Sequence, residues 1–578
     1  MRAPNRSVLG LSLLLALVCT GAFVARLYAL GWSLPYVEHG DESAIMATVV
    51  RMVRNRDLNP HTFIYPSLGY YLFAAAAKAQ LWWGMRHGLY TSAQDLPLQS
   101  YLYTSAPGLY LWGRTVVALL GAATVPLLYL LGRRMFDARI GLLAAALLAL
   151  AAFHVEHSHY MTTDAPTGLW VVLALLGAWR VANTGDWSGY ILGGAGAGLA
   201  AGMKYNAGAV ALGLVVAHVL HWRVAGLRRP FVRLVAAGIV SLVAFLATTP
   251  YALLDSQQFV ADLRFSAAHY SAGGHGDFMG RWQFDDYARF ILRDSLRVTG
   301  GAAILLGLPL LARRYGHQLV VLLAVIGAEV VLLASQSVHF VRNLLPVFPL
   351  LVLVAAAGAV ALVDWLAPRG IRGIAIAALA VALLLPQARE TGWKLRYWSR
   401  PHTLALMTKE LQALPQGLRF AVEMNQSMFP NNPVVFAMEQ VIEHPLDWYR
   451  MQGFRYLATN SDHHTEAERG AYEQLKASGV VIAEYPERRA GIQPGPGGII
   501  LDLGVHPEML RVVQREAEFG GQIELIGYEV QPGPPRPQIT PLDGSDARRL
   551  RPGDGLQLNL YWRTLAPMTR DYSLFVHV

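Results

Sequence analysis

The chain has 578 residues, of which 54% are hydrophobic and only 15% are charged, with a formal net charge of +9. A charged share so far below the roughly 25% of soluble proteins excludes an ordinary soluble protein and makes this a polytopic membrane protein. The basic excess lies in short clusters between apolar runs, a mark of membrane topology rather than of a nucleic-acid surface. The lone cysteine, Cys19, excludes a disulfide framework, a CxxC redox pair and a thiolate metal site.

In chain order, Met1-Arg-Ala-Pro-Asn-Arg6 precedes a long apolar run that lacks a small-x-small exit, which reads as an uncleaved first helix with a cytoplasmic N-terminus. Bulky Val18 before Cys19 rules out a lipid-attachment box. Apolar runs near 8–30, 109–131, 140–159, 166–182, 190–203, 206–221, 232–250, 298–312, 317–335, 344–362 and 371–386 predict about eleven spans. With the N-terminus inside, four of the five cytoplasmic connections are basic: Arg133-Arg134 with Arg139, then Arg223 to Arg233, Arg313-Arg314, and Arg369 with Arg372. Counting Ser67 to Trp83 as a span would turn every later basic loop outward. It is therefore predicted to be an interfacial helix, with Lys78 snorkelling and Trp82-Trp83 at headgroup depth.

This topology gathers the polar features on the outer face. They are Glu38, Asp41 and Glu42, the His154 to Asp164 turn, the Lys204-Tyr205-Asn206 turn, the loop from Tyr251 to Arg297, and Ser337 to Asn343. After Pro386 the composition becomes that of a soluble domain, extracytoplasmic by parity. Residues 391–500 are predicted as a small α/β unit, with helices His402 to Leu414 and Thr465 to Ala477 and strands Arg419 to Met424, Tyr456 to Thr459 and Val480 to Glu484. Gln493 to Gly498 reads as a breaker. Strands Ile523 to Val530 and Leu556 to Trp562 predict a β-sandwich-like domain over 501–578, and the terminal strand Tyr572 to Val578 suggests that this domain is incomplete here.

Carboxylates beside a bilayer are costly unless solvated, paired or used. Asp41 and Glu42 admit two readings: a helix N-cap and first-turn acid before the helix-compatible Ser43 to Arg56, or a catalytic pair in which Glu42 matters less if it orients Asp41 or holds an arginine such as Arg114. Lys204 reads equally as a snorkelling lysine or as an anion ligand. His154, Glu156, His157, His159 and Asp164 invite a metal reading, but HxxH is not a zinc spacing and no HExxH occurs, so a polar cavity lining is the preferred account. Metal binding by Asp41, Asp164 or His269, with His275 and Asp277 nearby, remains the alternative; Asp164 is also a candidate N-cap. Gly193 to Gly198 lies inside a span and reads as close helix packing.

The ordered set of the acidic pair after the first span, Tyr65-Pro66-Ser-Leu, Arg114 through Leu131-Gly-Arg-Arg-Met-Phe136, His157-Ser-His-Tyr-Met-Thr-Thr-Asp164-Ala-Pro166, Gly202-Met-Lys204-Tyr and Phe340-Val-Arg-Asn-Leu-Leu-Pro346 resembles the GT-C membrane glycosyltransferases related to protein O-mannosyltransferases and aminoarabinose transferases. The resemblance covers roughly 1–390. It implies an all-α polytopic membrane domain that takes a sugar from a polyprenyl-phosphate donor on the extracytoplasmic side, inverting, with Asp41 as catalytic carboxylate and Glu42 as its neighbour. A positioned carboxylate can take the acceptor proton, and Lys204, Arg342 and Arg51 can oppose the donor phosphate, with Arg54 as a further candidate. Tyr65, His157, His159, Asp164, Tyr205, His269 and His339 are expected around the cavity. Where the aminoarabinose transferases carry an acid-lysine pair this sequence has Ile64-Tyr65, so the expectation is no required cofactor or at most a divalent metal ion. Expected partners are the lipid donor, membrane lipid and a glycan, lipid or protein acceptor, with no nucleic acid. A lipid-linked sugar flippase and a non-enzymatic cell-envelope assembly protein are the competing readings; no matching halves in the hydropathy support the first.

Overall fold

Long uncharged runs can satisfy their backbone in a bilayer only as helix, and the chain is mostly helical as far as Ala413. The computed structural model describes residues 6–98, 103–225, 230–272, 274–280, 282–414, 418–423, 435–438, 440–460, 465–466, 468–486, 491–504, 513–519, 521–532 and 556–564. The helices are α1 (Arg6–Leu27), α2 (Gly40–Asn55), α3 (Ser67–Arg86), α4 (Pro107–Met135), α5 (Ala138–Leu150), α6 (Ala152–His157), α7 (Asp164–Thr184), α8 (Trp187–Met203), α9 (Ala211–Ala225), α10 (Pro230–Thr248), α11 (Tyr251–Leu254), α12 (Ser256–Ala272), α13 (Phe284–Arg289), α14 (Arg297–Ala334), α15 (Phe348–Leu366), α16 (Arg372–Trp398), α17 (Thr403–Ala413), α18 (Leu446–Met451) and α19 (Arg469–Ala477). Among the described residues eight helical segments are long and apolar enough to cross a membrane. The protein is a multi-pass membrane protein.

Each of the eleven apolar runs reappears as helix, and the difference in number has local causes. α5 has 13 residues and α8 has 17, short against the roughly 20 that span a bilayer. Runs 298–312 and 317–335 both fall in α14, whose backbone leaves helical geometry at Tyr315 (φ −133°, ψ 39°). Ser295, just before α14, is joined through Gln387 to Ala152. The middle of α14 meets the far ends of α4 and α5, where Asp364 accepts from both Arg314 and Arg139. Its last residue, Ala334, accepts from Gln283 N. The two halves therefore run in opposite directions, with the break at the turn.

Small residues set the register of α7 against α8. A Cβ on Gly177 would lie 2.2 Å from Gly193 N, and one on Gly198 would lie 2.1 Å from Ser241 O of α10. Backbone packs on backbone on both sides of α8, as the packing reading of Gly193 to Gly198 requires. This register brings the start of α7 to the end of α8, and so Asp164 to Lys204. Segment 67–86 is helical, and Trp82, Trp83 and Lys78 stand on its exposed face.

The chain groups into two compact units, Met1–Thr408 with Pro486–Gly495, and Lys409–Tyr485 with Pro496–Val578. The second holds a mixed five-stranded sheet in the order β2-β1-β3-β5-β4, from β1 (Arg419–Val422), β2 (Val435–Ala437), β3 (Phe454–Ala458), β4 (Val480–Tyr485) and β5 (Gly498–Asp502). β1 pairs with β2 and β3 in parallel, and β5 pairs antiparallel with β3 and β4. β6 (Val513–Phe519), β7 (Ile523–Pro532) and β8 (Leu556–Thr564) form an antiparallel sheet. β2, β5 and β6 are additions to the strands read from the sequence: β2 is three residues long and β5 begins inside the presumed breaker. The strand expected at Tyr572 to Val578 lies outside the described residues.

Candidate active site

The first loop is placed by its own side chains. α2 begins at Gly40, and its cap is His39, whose Nδ1 accepts from Asp41 N at 3.3 Å. Asp41 is therefore not the N-cap that the sequence allowed; it sits in the first turn, where the helix dipole favours a carboxylate, with its side chain released from capping. Glu42 points the other way. Both of its oxygens accept from Arg114 of α4 at 2.8 Å, Oε1 also accepts from Met161 N at 2.7 Å, and both side chains are fully buried. Arg114 further donates to the carbonyls of Leu30 and Trp32. Glu42, expected beside Asp41 as a catalytic acid, is committed to this internal clamp because its oxygens face the helix bundle.

Asp41 Oδ2 accepts from Arg342 at 3.2 Å, and its side chain is 27% exposed. Arg342 stands in a short helical turn, Val341–Leu344, with its guanidinium over the Phe340 ring. Burial works against its charge, but Asp164 and Asp41 outweigh burial and hold the guanidinium above its ordinary value. Asp164 is the first residue of α7 rather than its cap, and its carboxylate is ion-paired with Lys204 at the end of α8. Lys204 also donates to Asn343 Oδ1 at 2.7 Å. Two carboxylates and two cations thus form one linked group, with Tyr65 among them. Burial first, then Asp41 and Asp164, push the Tyr65 hydroxyl far above its ordinary range, so it remains a neutral donor. His157 shares these surroundings with Asp164, His39 and Arg342.

Other expected residues lie elsewhere. Arg51 is exposed and donates to Thr48 of its own helix, and Arg54 reaches Gln94 and the Leu96 carbonyl. His159 is buried between the carbonyls of Val155 and Tyr28, beside Trp398. His339 is buried and holds the segment around Gly280 through that residue's carbonyl. Tyr205 donates to the Phe63 carbonyl, and His269 is exposed, stacked on Phe265. Each of these is a histidine, tyrosine or arginine whose polar atoms bind nearby protein groups or are left in solvent, except His339 Nδ1, which is buried without a hydrogen-bond partner among the described residues.

Residues 111–251 match the family of dolichyl-phosphate-mannose-protein mannosyltransferases. Among solved structures, apo ArnT from Cupriavidus metallidurans is similar at 14% identity and a TM-score of 0.50, over 88% of this chain and 99% of that one. ArnT from the same organism bound to undecaprenyl phosphate is similar at 14% identity and 0.48, over 87% and 99%. The Archaeoglobus fulgidus oligosaccharyltransferase in complex with Zn and sulfate is similar at 13% identity and 0.48, over 84% and 72%. No curated protein matches the chain.

The fold is similar to that of ArnT over most of this chain. Of the metal candidates, Asp41 faces Arg342 and Asp164 faces Lys204, and among the described residues no three His, Cys, Asp or Glu side chains converge as ligands. Several residues of this candidate site escaped sequence reasoning. Asn343 adjoins Arg342 inside a motif already singled out. Glu329 is a fully buried acid inside an apolar run, a signal in itself, and it accepts from Asn206. His39 as a cap, and Tyr270 near Tyr65 and Arg342, left no sequence signal.

Proposed function

We propose that the protein is an integral membrane glycosyltransferase that moves a sugar from a polyprenyl-phosphate donor to an acceptor on the extracytoplasmic side, with inversion. The observation that carries this is the linked group of Asp41, Arg342, Asp164 and Lys204, at the loops of a GT-C fold. The match to dolichyl-phosphate-mannose-dependent mannosyltransferases supports a lipid-phosphate donor. In this reading Arg342 and Lys204 oppose the charge that develops on the leaving phosphate, and charge-assisted donors of this kind are the strongest available. Asp41 takes the acceptor proton as the new glycosidic bond forms and the bond to phosphate breaks; among the described residues its Oδ1 accepts no hydrogen bond. Tyr65 supplies a neutral hydroxyl beside them.

Orientation follows from charge. The ends of the bundle remote from Asp41 carry Arg133, Arg134, Arg139, Arg180, Arg233 and Arg314, which supports a cytoplasmic location for those ends and an extracytoplasmic one for Asp41 and for the C-terminal domains. The test incubates purified protein with a radiolabelled polyprenyl-phosphate sugar and follows label into acceptor or water. Label that stays on the lipid under every acceptor offered, while the lipid itself crosses vesicle bilayers, would replace this reading with that of a transporter.

A further inference from the structure

The chain that leaves α16 returns to the Asp41 loop. Trp398 stacks on Trp32 with ring centroids 5.2 Å apart, and His402 stacks on Tyr36 at 5.6 Å. Tyr36 in turn hydrogen-bonds Thr408. His402 is only 4% exposed, and both its nitrogens are spoken for. Nδ1 accepts from Leu404 N at 3.3 Å, which places the proton on Nε2, and Nε2 donates to Glu38 Oε1 at 2.7 Å. A second segment of the same unit closes over this histidine: Thr403 N donates to Pro494 O at 2.8 Å. Gly495, at φ +100°, comes so near that a Cβ there would lie 2.6 Å from His402 Cε1. Glu38 precedes Asp41 by three positions, and Glu42 follows it. The loop is therefore held on both sides of Asp41, at Glu42 by Arg114 and at Glu38 by His402.

We propose that His402 is a positioning residue for the transfer reaction, acting through Glu38 on the placement of Asp41. This rests on the reading of Asp41 as the base. His402 does not touch the reacting atoms; it fixes the direction of one hydrogen bond on the Glu38 side of the loop. A displacement of about 1 Å at a reacting group costs on the order of 10²-fold in rate, so the loss belongs to turnover rather than to donor affinity.

The experiment measures kcat and donor KM with the polyprenyl-phosphate sugar for His402→Ala, His402→Gln, Glu38→Ala and the Glu38→Ala/His402→Ala double variant, beside Asp41→Asn. We expect His402→Ala to lose roughly 10- to 100-fold in kcat with donor KM unchanged. His402→Gln, whose amide nitrogen can donate from the position of Nε2, should recover most of it. Glu38→Ala should lose as much, and the double variant no more than either single one, because the two act through one contact. Glu38→Ala probes the contact from the loop side even if His402→Ala does not fold. Wild-type kcat in both single alanine variants, where Asp41→Asn is inactive, would overturn the positioning role, as would single losses that multiply in the double variant. Wild-type turnover by Asp41→Asn would instead overturn the base itself.

Discussion

Asp41 and Glu42 are consecutive on one helical turn and each faces an arginine, but the two pairs stand in opposite surroundings. The Glu42 pair is bidentate, fully buried and tied to three backbone groups. The Asp41 pair is a single contact of 3.2 Å between partly exposed groups. A buried bidentate pair resists change, because removal of either partner strands a charge. A single, partly solvated contact can be exchanged for a substrate. The difference teaches that the acid of the first loop suited to chemistry is the one with the weaker claim on it.

The largest effect should come from breaking the inner pair. Arg114→Leu leaves Glu42 buried and unpaired, and should destabilise the membrane domain by about 3–5 kcal/mol, read as thermal unfolding in detergent. The Glu42→Leu/Arg114→Leu double variant should recover part of that. An Arg114→Leu protein with the melting temperature of wild type would contradict the clamp.

Arg342→Gln removes the cation from the outer pair. It should lower turnover by roughly 10²–10³-fold, as the loss of one preorganised donor to a developing charge does, with little change in melting temperature. Equal kinetics with Arg342→Gln and wild type would remove Arg342 from the site.

His39→Ala removes the cap of α2 and should cost on the order of 1 kcal/mol, whereas His39→Asn, a good cap, should not. If Asp41 were itself the cap, His39→Ala would leave stability unchanged.

On the far side of the bundle Arg139 is shared between Asp137 and Asp364, and Arg314 also serves Asp364, all partly exposed. Arg139→Ala should change stability by less than about 0.5 kcal/mol and leave transfer intact. The smallest effect expected is that of a chelator. With Arg342 and Lys204 seated on the two acids of the site, a measurable transfer rate should survive it, and complete loss reversed by added metal would show an ion that this account does not provide for.

The helices were legible because apolar length and loop charge are local properties. The break at Tyr315 was foreseen as two spans with Arg313-Arg314 between them, since the charge itself marks the turn. Asp41, Arg342, Asp164 and Lys204 could be singled out by type and by their place at span ends. Their pairing could not: Asp164 meets Lys204 through the glycine-set register of α7 on α8, and Asp41 meets Arg342 across 301 residues of chain. The sequence leaves the cap of α2 open with Asp41 as the candidate, since aspartate is the commoner cap and a histidine two positions earlier gives no signal. Arg114 as a partner of Glu42 is legible in the sequence, whereas His402 as the partner of Glu38 is not, because the two lie 364 residues apart. β2 and β5 were missed because one is very short and the other starts among Pro and Gly.

The central claim is that Asp41 is the base, and it is tested most directly by Asp41→Asn measured in single turnover on a preformed complex with the lipid-linked sugar. Asparagine keeps the size and the hydrogen-bonding reach of the side chain but cannot accept the proton. The account predicts a transfer rate reduced by roughly 10²-fold or more, with donor binding and melting temperature near those of wild type. A variant that transfers sugar at the wild-type rate would contradict it.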